Sequence, residues 1–171
     1  MKDLFSPVIV KSLTRNIFSL LDDEWMLITA GDIKYFNTMT ASWGGFGILW
    51  NKPVAFIFIR PQRYTLGFVD NRDYFTLSFF NEQFRDILNF CGSRSGKEVD
   101  KIAETGLKPV ETDNGGVFFE QASLMMECRK LYTDNIKPEN FSTNEIDKKI
   151  YKNKDYHYMF VAEITKCLKR N

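Results

Sequence analysis

The sequence predicts an α+β or barrel fold in which antiparallel strands are separated by short helices, and three observations carry that expectation. Runs rich in β-branched and aromatic residues recur along most of the chain. Helical periodicity is confined to short windows between them, without the regular strand–helix alternation of a parallel doubly wound sheet. The chain is also rich in rings, with 16 Phe, 7 Tyr and 3 Trp. Rings in that number can fill a barrel core, an oligomer interface or the walls of a site for a flat ligand, and composition does not choose among these.

Taken in order, residues 12–21 place Leu13, Ile17, Phe18, Leu20 and Leu21 near helical spacing, with Ser12 as a cap. Strands are expected over 25–30 and 35–41, joined as a hairpin around Gly31-Asp32, and again over 54–59 and 75–80. Residues 82–91 switch to helical period: Asn81 suits an N-cap, Phe84, Ile87, Leu88 and Cys91 share a face, and Gly92 suits the stop. Ser95 with Glu98 three residues later reads as a capping box, followed by apolar Val99, Ile102 and Ala103 and a terminal Gly106. Later strands are expected over 117–119, 123–131 and 157–165.

At 171 residues with 44% hydrophobic and 26% charged residues, the chain is the size of one domain and is expected to bury a single core over residues 1–171. The 23 Lys and Arg nearly balance 22 Asp and Glu, which argues against a nucleic-acid partner. Lys148, Lys149, Lys152 and Lys154 interrupt that balance but alternate with Asp147 and Asp155, as a solvated segment would. Three cysteines (Cys91, Cys128, Cys167) without C-x-x-C spacing, and the lone His157, do not make a zinc site. The start, Met1 to Pro7, has no signal-like layout, and no apolar run is long enough to span a membrane, so a cytoplasmic protein with reduced thiols is expected.

Three segments share a chemical theme, a site for a phosphate attached to a flat ring. Asn37-Thr38-Met39-Thr40-Ala41-Ser42-Trp43-Gly44-Gly45 leaves a strand with three hydroxyls, an indole and two glycines that let backbone approach a ligand; alone it could equally be a strand ending in a Gly-rich turn. Arg60-Pro61-Gln62-Arg63-Tyr64-Thr65 follows an apolar strand and offers two guanidinium forks, with Thr65 opening a short helix to Val69. Alone, it could equally be two surface arginines. Cys91-Gly92-Ser93-Arg94-Ser95-Gly96-Lys97 lies between two expected helices and brings small residues, hydroxyls and cations to a helix start, although capping alone explains Gly92 and Ser95. It is not the G-x-x-x-x-G-K-[ST] nucleotide loop, because Gly92 and Gly96 are too close and Glu98 follows Lys97.

In combined order and spacing, N-T-M-T-A-S-W-G-G, R-P-Q-R-Y-T and F-C-G-S-R-S-G-K-E-V-D-K-I resemble the flavin reductase family of FMN-binding split barrels, and in particular its small flavoredoxin-like members. The resemblance runs from about Trp25 to Pro109 and returns at residues 156–164, while 114–154 matches only loosely. It implies a mainly β fold, a six-stranded antiparallel Greek-key split barrel with peripheral α-helices, and a homodimer with FMN near the subunit interface. It further implies that Thr38, Met39, Thr40 and Ala41 line the flavin ring edge and that Ser42 and Trp43 lie close to the ring. Arg60, Arg63 and Thr65 would approach the ribityl phosphate, with Ser93 and Lys97 closing around it.

The activity implied is an oxidoreductase that moves electrons from NAD(P)H through FMN to a flavin or another acceptor. The alternatives are a flavoredoxin-like carrier reduced by a partner redox protein and a module that binds FMN without redox chemistry. Hydride transfer needs no side-chain acid or base, so no catalytic residue is assigned. His157 could touch flavin or substrate at the site mouth, although beside Tyr156 and Tyr158 a structural hydrogen-bonding role is the more ordinary one. Cys91, on an apolar helix face, is read as core packing rather than as a redox relay.

Overall fold

The computed structural model describes residues 4–171; Met1, Lys2 and Asp3, the opening of the stretch read for targeting signals, lie outside the described residues. The strands are β1 (Phe5–Pro7), β2 (Met26–Asp32), β3 (Tyr35–Ala41), β4 (Gly44–Leu49), β5 (Lys52–Ile59), β6 (Tyr74–Phe79), β7 (Pro109–Glu111), β8 (Val117–Phe119), β9 (Leu124–Asn135) and β10 (Tyr158–Arg170). The helices are α1 (Ile17–Ser19), α2 (Thr65–Asp70), α3 (Arg85–Ser93), α4 (Lys101–Thr105) and α5 (Asn144–Ile150). An antiparallel sheet runs β3-β2-β6-β9-β10-β5-β4, with β1 paired to the far end of β10, and β7 and β8 form a separate ribbon.

The sheet closes around its own core because its strands alternate. Met26, Ile28 and Ala30 of β2, Phe75, Leu77 and Phe79 of β6, Leu124, Met126 and Cys128 of β9, and Phe160, Ala162 and Ile164 of β10 all enter one cluster. The intervening residues are buried too where an outer layer covers them: Leu27 and Phe80 pack with Leu88, Cys91 and Phe119 under α3. Burial on both faces is why these strands read as continuous apolar runs rather than as alternating ones. Two register shifts in β10, between Val161 and Ala162 and between Ile164 and Lys166, let the long β9–β10 pair bend around the core.

This is the split barrel with peripheral helices, but with more strands than six. Strands β2, β3, β5, β6, β9 and β10 form its body, and β4 and β1 extend the sheet. The Gly44-Gly45 stretch is therefore a strand start and not a Gly-rich turn. It pairs with Ile57 and Phe56, and a Cβ on Gly44 would lie 2.6 Å from the Phe56 carbonyl oxygen, so only glycine permits that approach.

Several local expectations move. The helix expected from Ser12 begins only at Ile17, where the Asn16 side chain accepts a hydrogen bond from Phe18 N at 2.9 Å, and it continues as a π turn over Leu20–Glu24. The hairpin turns at Ile33-Lys34, because Asp32 accepts from both Lys34 N and Tyr35 N at 3.0 Å. Ser95 caps no helix: Asp100 does, accepting from Ile102 N and Ala103 N, and α4 ends at a left-handed Gly106. Gly92 lies inside α3 rather than after it. The lysine-rich segment is partly helical: Lys148 and Lys149 end α5, exposed, and Lys154 pairs with Asp147 at 2.8 Å. Among the described residues no helix is long and apolar enough to cross a membrane.

Candidate functional site

The three segments converge on one end of the barrel. β3 delivers Asn37 to Ala41, the β5–α2 loop delivers Arg60 and Arg63, the α3–α4 link delivers Ser93 to Glu98, and His157 stands just before β10. Two adjoining clefts result. One, of about 460 Å³, is lined by Asn37, Arg63, Thr65, Ser93, Gly96 and Lys101 among others. The second, of about 250 Å³, is lined by Thr40, Ala41, Ser42, Trp43, Phe58 and His157. Met39, Arg60 and Arg63 line both, so a polar, cationic compartment opens into an aromatic one.

The cations differ in what they already hold. Arg60 is committed to protein: its guanidinium pairs with Asp155, donates to the Ile150 carbonyl at 3.2 Å and lies 5.4 Å from the centre of the Tyr151 ring. Arg60 and then Gln62 hold the Asp155 carboxyl below its usual range by hydrogen bonding. Arg63 has no carboxylate partner among the described residues; Nη1 donates to the Gly92 carbonyl at 2.5 Å. Burial, and then the charge of Arg60, pulls its pKa down. Lys101, buried at 6% exposure, donates to the Thr38 and Cys91 carbonyls, each at 2.7 Å. Two of the three ammonium donors are thus used, and burial lowers its pKa. Arg63 and Lys101 both reach last-turn carbonyls of α3, so two cations that form no ion pair among the described residues stand where the helix ends negative.

Thr38 turns its hydroxyl into the sheet, sharing a 2.9 Å hydrogen bond with Thr29, and meets the site only through its carbonyl on Lys101. Thr40 donates to the Leu88 carbonyl at 2.5 Å and so locks β3 to α3. Thr65 is buried and accepts from Asn37 Nδ2 at 2.8 Å. Ser93 and Arg63 share the polar cleft, but Lys97 does not line it: its ammonium stands 5.2 Å from the Tyr64 ring centre, facing a neighbouring groove of about 620 Å³. The helix start expected near Ser95 is absent, because residues 95–99 form a turn in which the Ser95 carbonyl accepts from Glu98 N and Val99 N.

In the aromatic compartment Trp43 is half exposed at 50%, and its ring centre lies 5.2 Å from that of His157. His157 is buried, and Tyr151 Oη and His157 Nδ1 are 2.9 Å apart. Burial, reinforced by the Arg60 charge, pushes the imidazole pKa down to about 4, so the ring is neutral at physiological pH. Burial pushes the Cys91 thiol up to about 11, against the opposing charge of Lys101, and the thiol packs in the cluster under α3.

Sequence reasoning assigned no role to Asn37, Phe58, Lys101 or Tyr151. Asn37 and Lys101 stand inside the motifs themselves, yet nothing in a sequence separates a buried lysine clamp from a solvated lysine. Tyr151 lies in the loosely matched stretch and meets the site only through the folding of residues 141–157 over Arg60.

No curated protein matches the chain closely by sequence. Among solved structures, an FMN-binding domain of a flavin reductase-like enzyme from Shewanella baltica superposes with a TM-score of 0.69 at 15% identity, covering 98% of this chain and 78% of that one. The flavoredoxin of Desulfovibrio vulgaris gives 0.66 at 21% identity over 95% and 77%. An NADH:FAD oxidoreductase from Streptomyces globisporus gives 0.65 at 14% over 86% and 78%. At these identities the likeness speaks to fold. The model of the flavin reductase-like domain matches residues 20–171, nearly the whole chain, and the chain therefore belongs to the flavin reductase-like domain family.

Proposed function

We propose that the paired clefts hold one FMN per 171-residue domain and that the protein is an oxidoreductase passing electrons from NAD(P)H through it to a flavin or another acceptor. The observation that carries this reading is the continuity of the two compartments through Met39, Arg60 and Arg63. A flat ring with an anionic tail needs that pairing of chemistries. Arg63 and Lys101 retain charge for a phosphate, Ser95 and Gly96 are the small residues beside them in a cleft that Glu98 also lines, and Trp43, Phe58 and the β3 backbone face the ring compartment. The residues present fit the group. Bound flavin supplies hydride and single-electron chemistry that side chains lack. The β3 backbone and the half-exposed Trp43 would hold the ring, and Arg63 and Lys101 would neutralise the phosphate.

The carrier reading, in which a partner redox protein is the donor, gains support from the likeness to flavoredoxin. We also infer a homodimer, supported by the exposed Trp43, Ile48 and Trp50 along and beside the edge strand β4, at 50%, 61% and 54%.

The test is the visible spectrum of the protein with added FMN, followed by NADH or NADPH without oxygen. Binding followed by rapid bleaching of the flavin band is the expected result and names the donor. Binding without bleaching, with rapid reduction by a redox protein instead, selects the carrier. Failure to bind FMN overturns the reading.

A further inference from the structure

Residues 141–157 fold back over Arg60 and bring Tyr151 against His157 from outside the motifs that define the site. Tyr151 is buried at 3% exposure, and its hydroxyl has one hydrogen-bond partner among the described residues, His157 Nδ1. If the imidazole donated at Nδ1, the phenolic proton would be buried with no acceptor, a cost the reverse arrangement avoids. The hydroxyl therefore donates to Nδ1, and the neutral ring carries its proton on Nε2. That nitrogen has no hydrogen-bond partner among the described residues and is not among the buried unpartnered atoms, while the ring lines the aromatic cleft beside Trp43.

We propose that Tyr151 is a positioning residue that fixes His157 as an Nε2–H donor at the aromatic cleft, the compartment the flavin reading above gives to the ring. The Tyr151–Nδ1 contact sets the tautomer, and the indole of Trp43 stands beside the imidazole, its ring centre 5.2 Å away. Phe58 meets the imidazole edge-on, with ring centres 6.5 Å apart. The tautomer does not depend on any cofactor.

His157 is the chain's one histidine, so its imidazole is spectroscopically isolated in tag-free protein. Long-range proton–nitrogen correlation at neutral pH should find Nε2 protonated and Nδ1 bare, and Tyr151→Phe should convert this to a mixture of tautomers. An Nδ1–H tautomer in the native protein, or one unmoved by Tyr151→Phe, would overturn the proposal. Failure of the protein to take up FMN, with the tautomer as expected, would overturn the flavin reading and leave the Tyr151–His157 relationship standing.

Discussion

Asn37 occupies the space that any side chain at residue 96 would need. A Cβ built on Gly96 would lie 2.0 Å from Asn37 Oδ1, and the same amide donates through Nδ2 to the buried Thr65 hydroxyl at 2.8 Å. The link from β3 through Asn37 to the start of α2 thus closes only over a glycine, and all three residues line the polar cleft. Gly96→Ala should push the amide off Thr65 and weaken FMN binding by about 1–2 kcal/mol, roughly five- to thirtyfold, through the lost hydrogen bond and the moved wall. Flavin fluorescence quenching reads the affinity, and thermal unfolding of the flavin-free protein should show a loss of stability as well, because the Asn37–Thr65 bond is internal to the fold. Unaltered affinity would place the ligand away from this wall.

Arg63 and Lys97 are grouped by sequence as phosphate ligands; both line the groove beside Tyr64, but only Arg63 also lines the polar cleft. Arg63 lies in the cleft with its charge unpaired by any carboxylate among the described residues, whereas Lys97 faces the next groove beside Tyr64. Arg63→Ala should therefore lower FMN affinity by about ten- to a hundredfold while changing riboflavin affinity little, because only FMN carries the phosphate. Lys97→Ala should cost FMN less than about threefold, as a screened surface charge does. Parallel titrations of both ligands decide the matter: equal losses for FMN and riboflavin would remove Arg63 from the phosphate.

The legible parts of this molecule were those that local chemistry dictates. Strand β3, the apolar strand before Arg60 and the terminal Gly106 follow from residue type and spacing. The β4 strand was hidden because Gly44 and Gly47 carry no side-chain pattern, and its glycine is demanded by a carbonyl twelve residues later in the chain. Ser95 and Asp100 each offer a capping oxygen near the same helix, and only the packing of α4 against α3 selects Asp100. Within the site, residue types pointed to an anion beside a ring. Which cations keep their charge free depended on Asp155, Gly92 and Cys91, partners chosen by the fold and not by spacing.

Lys101 should prove more important to stability than its sequence neighbourhood suggests. Its ammonium ties the Thr38 carbonyl on β3 to the Cys91 carbonyl in the last turn of α3. Lys101→Met keeps the length of the side chain and leaves both acceptors buried and unpaired. The expected loss is about 2–4 kcal/mol of unfolding free energy, visible as a lower urea midpoint with an unchanged slope. A loss below about half a kcal/mol would mean that water replaces the ammonium at both carbonyls.

His157 should make the protein acid-sensitive in a window set by its burial. In the unfolded chain the imidazole takes its proton near the ordinary value of 6.5, whereas the folded site, desolvated and facing Arg60, resists protonation until about 4. Between those values the unfolded chain binds more protons, so stability rises with pH across the window and is lost as pH falls through it. The full contribution, up to about 3 kcal/mol, is present above pH 6.5 and absent below pH 4. Asp155, held below its usual range by Arg60, loses its own contribution at lower pH still, which separates the two effects along the pH axis. His157→Gln should flatten the dependence between pH 6.5 and 4 while leaving the steeper loss below it. Chemical denaturation at half-unit intervals of pH measures both slopes, and an undiminished slope in the variant would assign the sensitivity to the carboxylates.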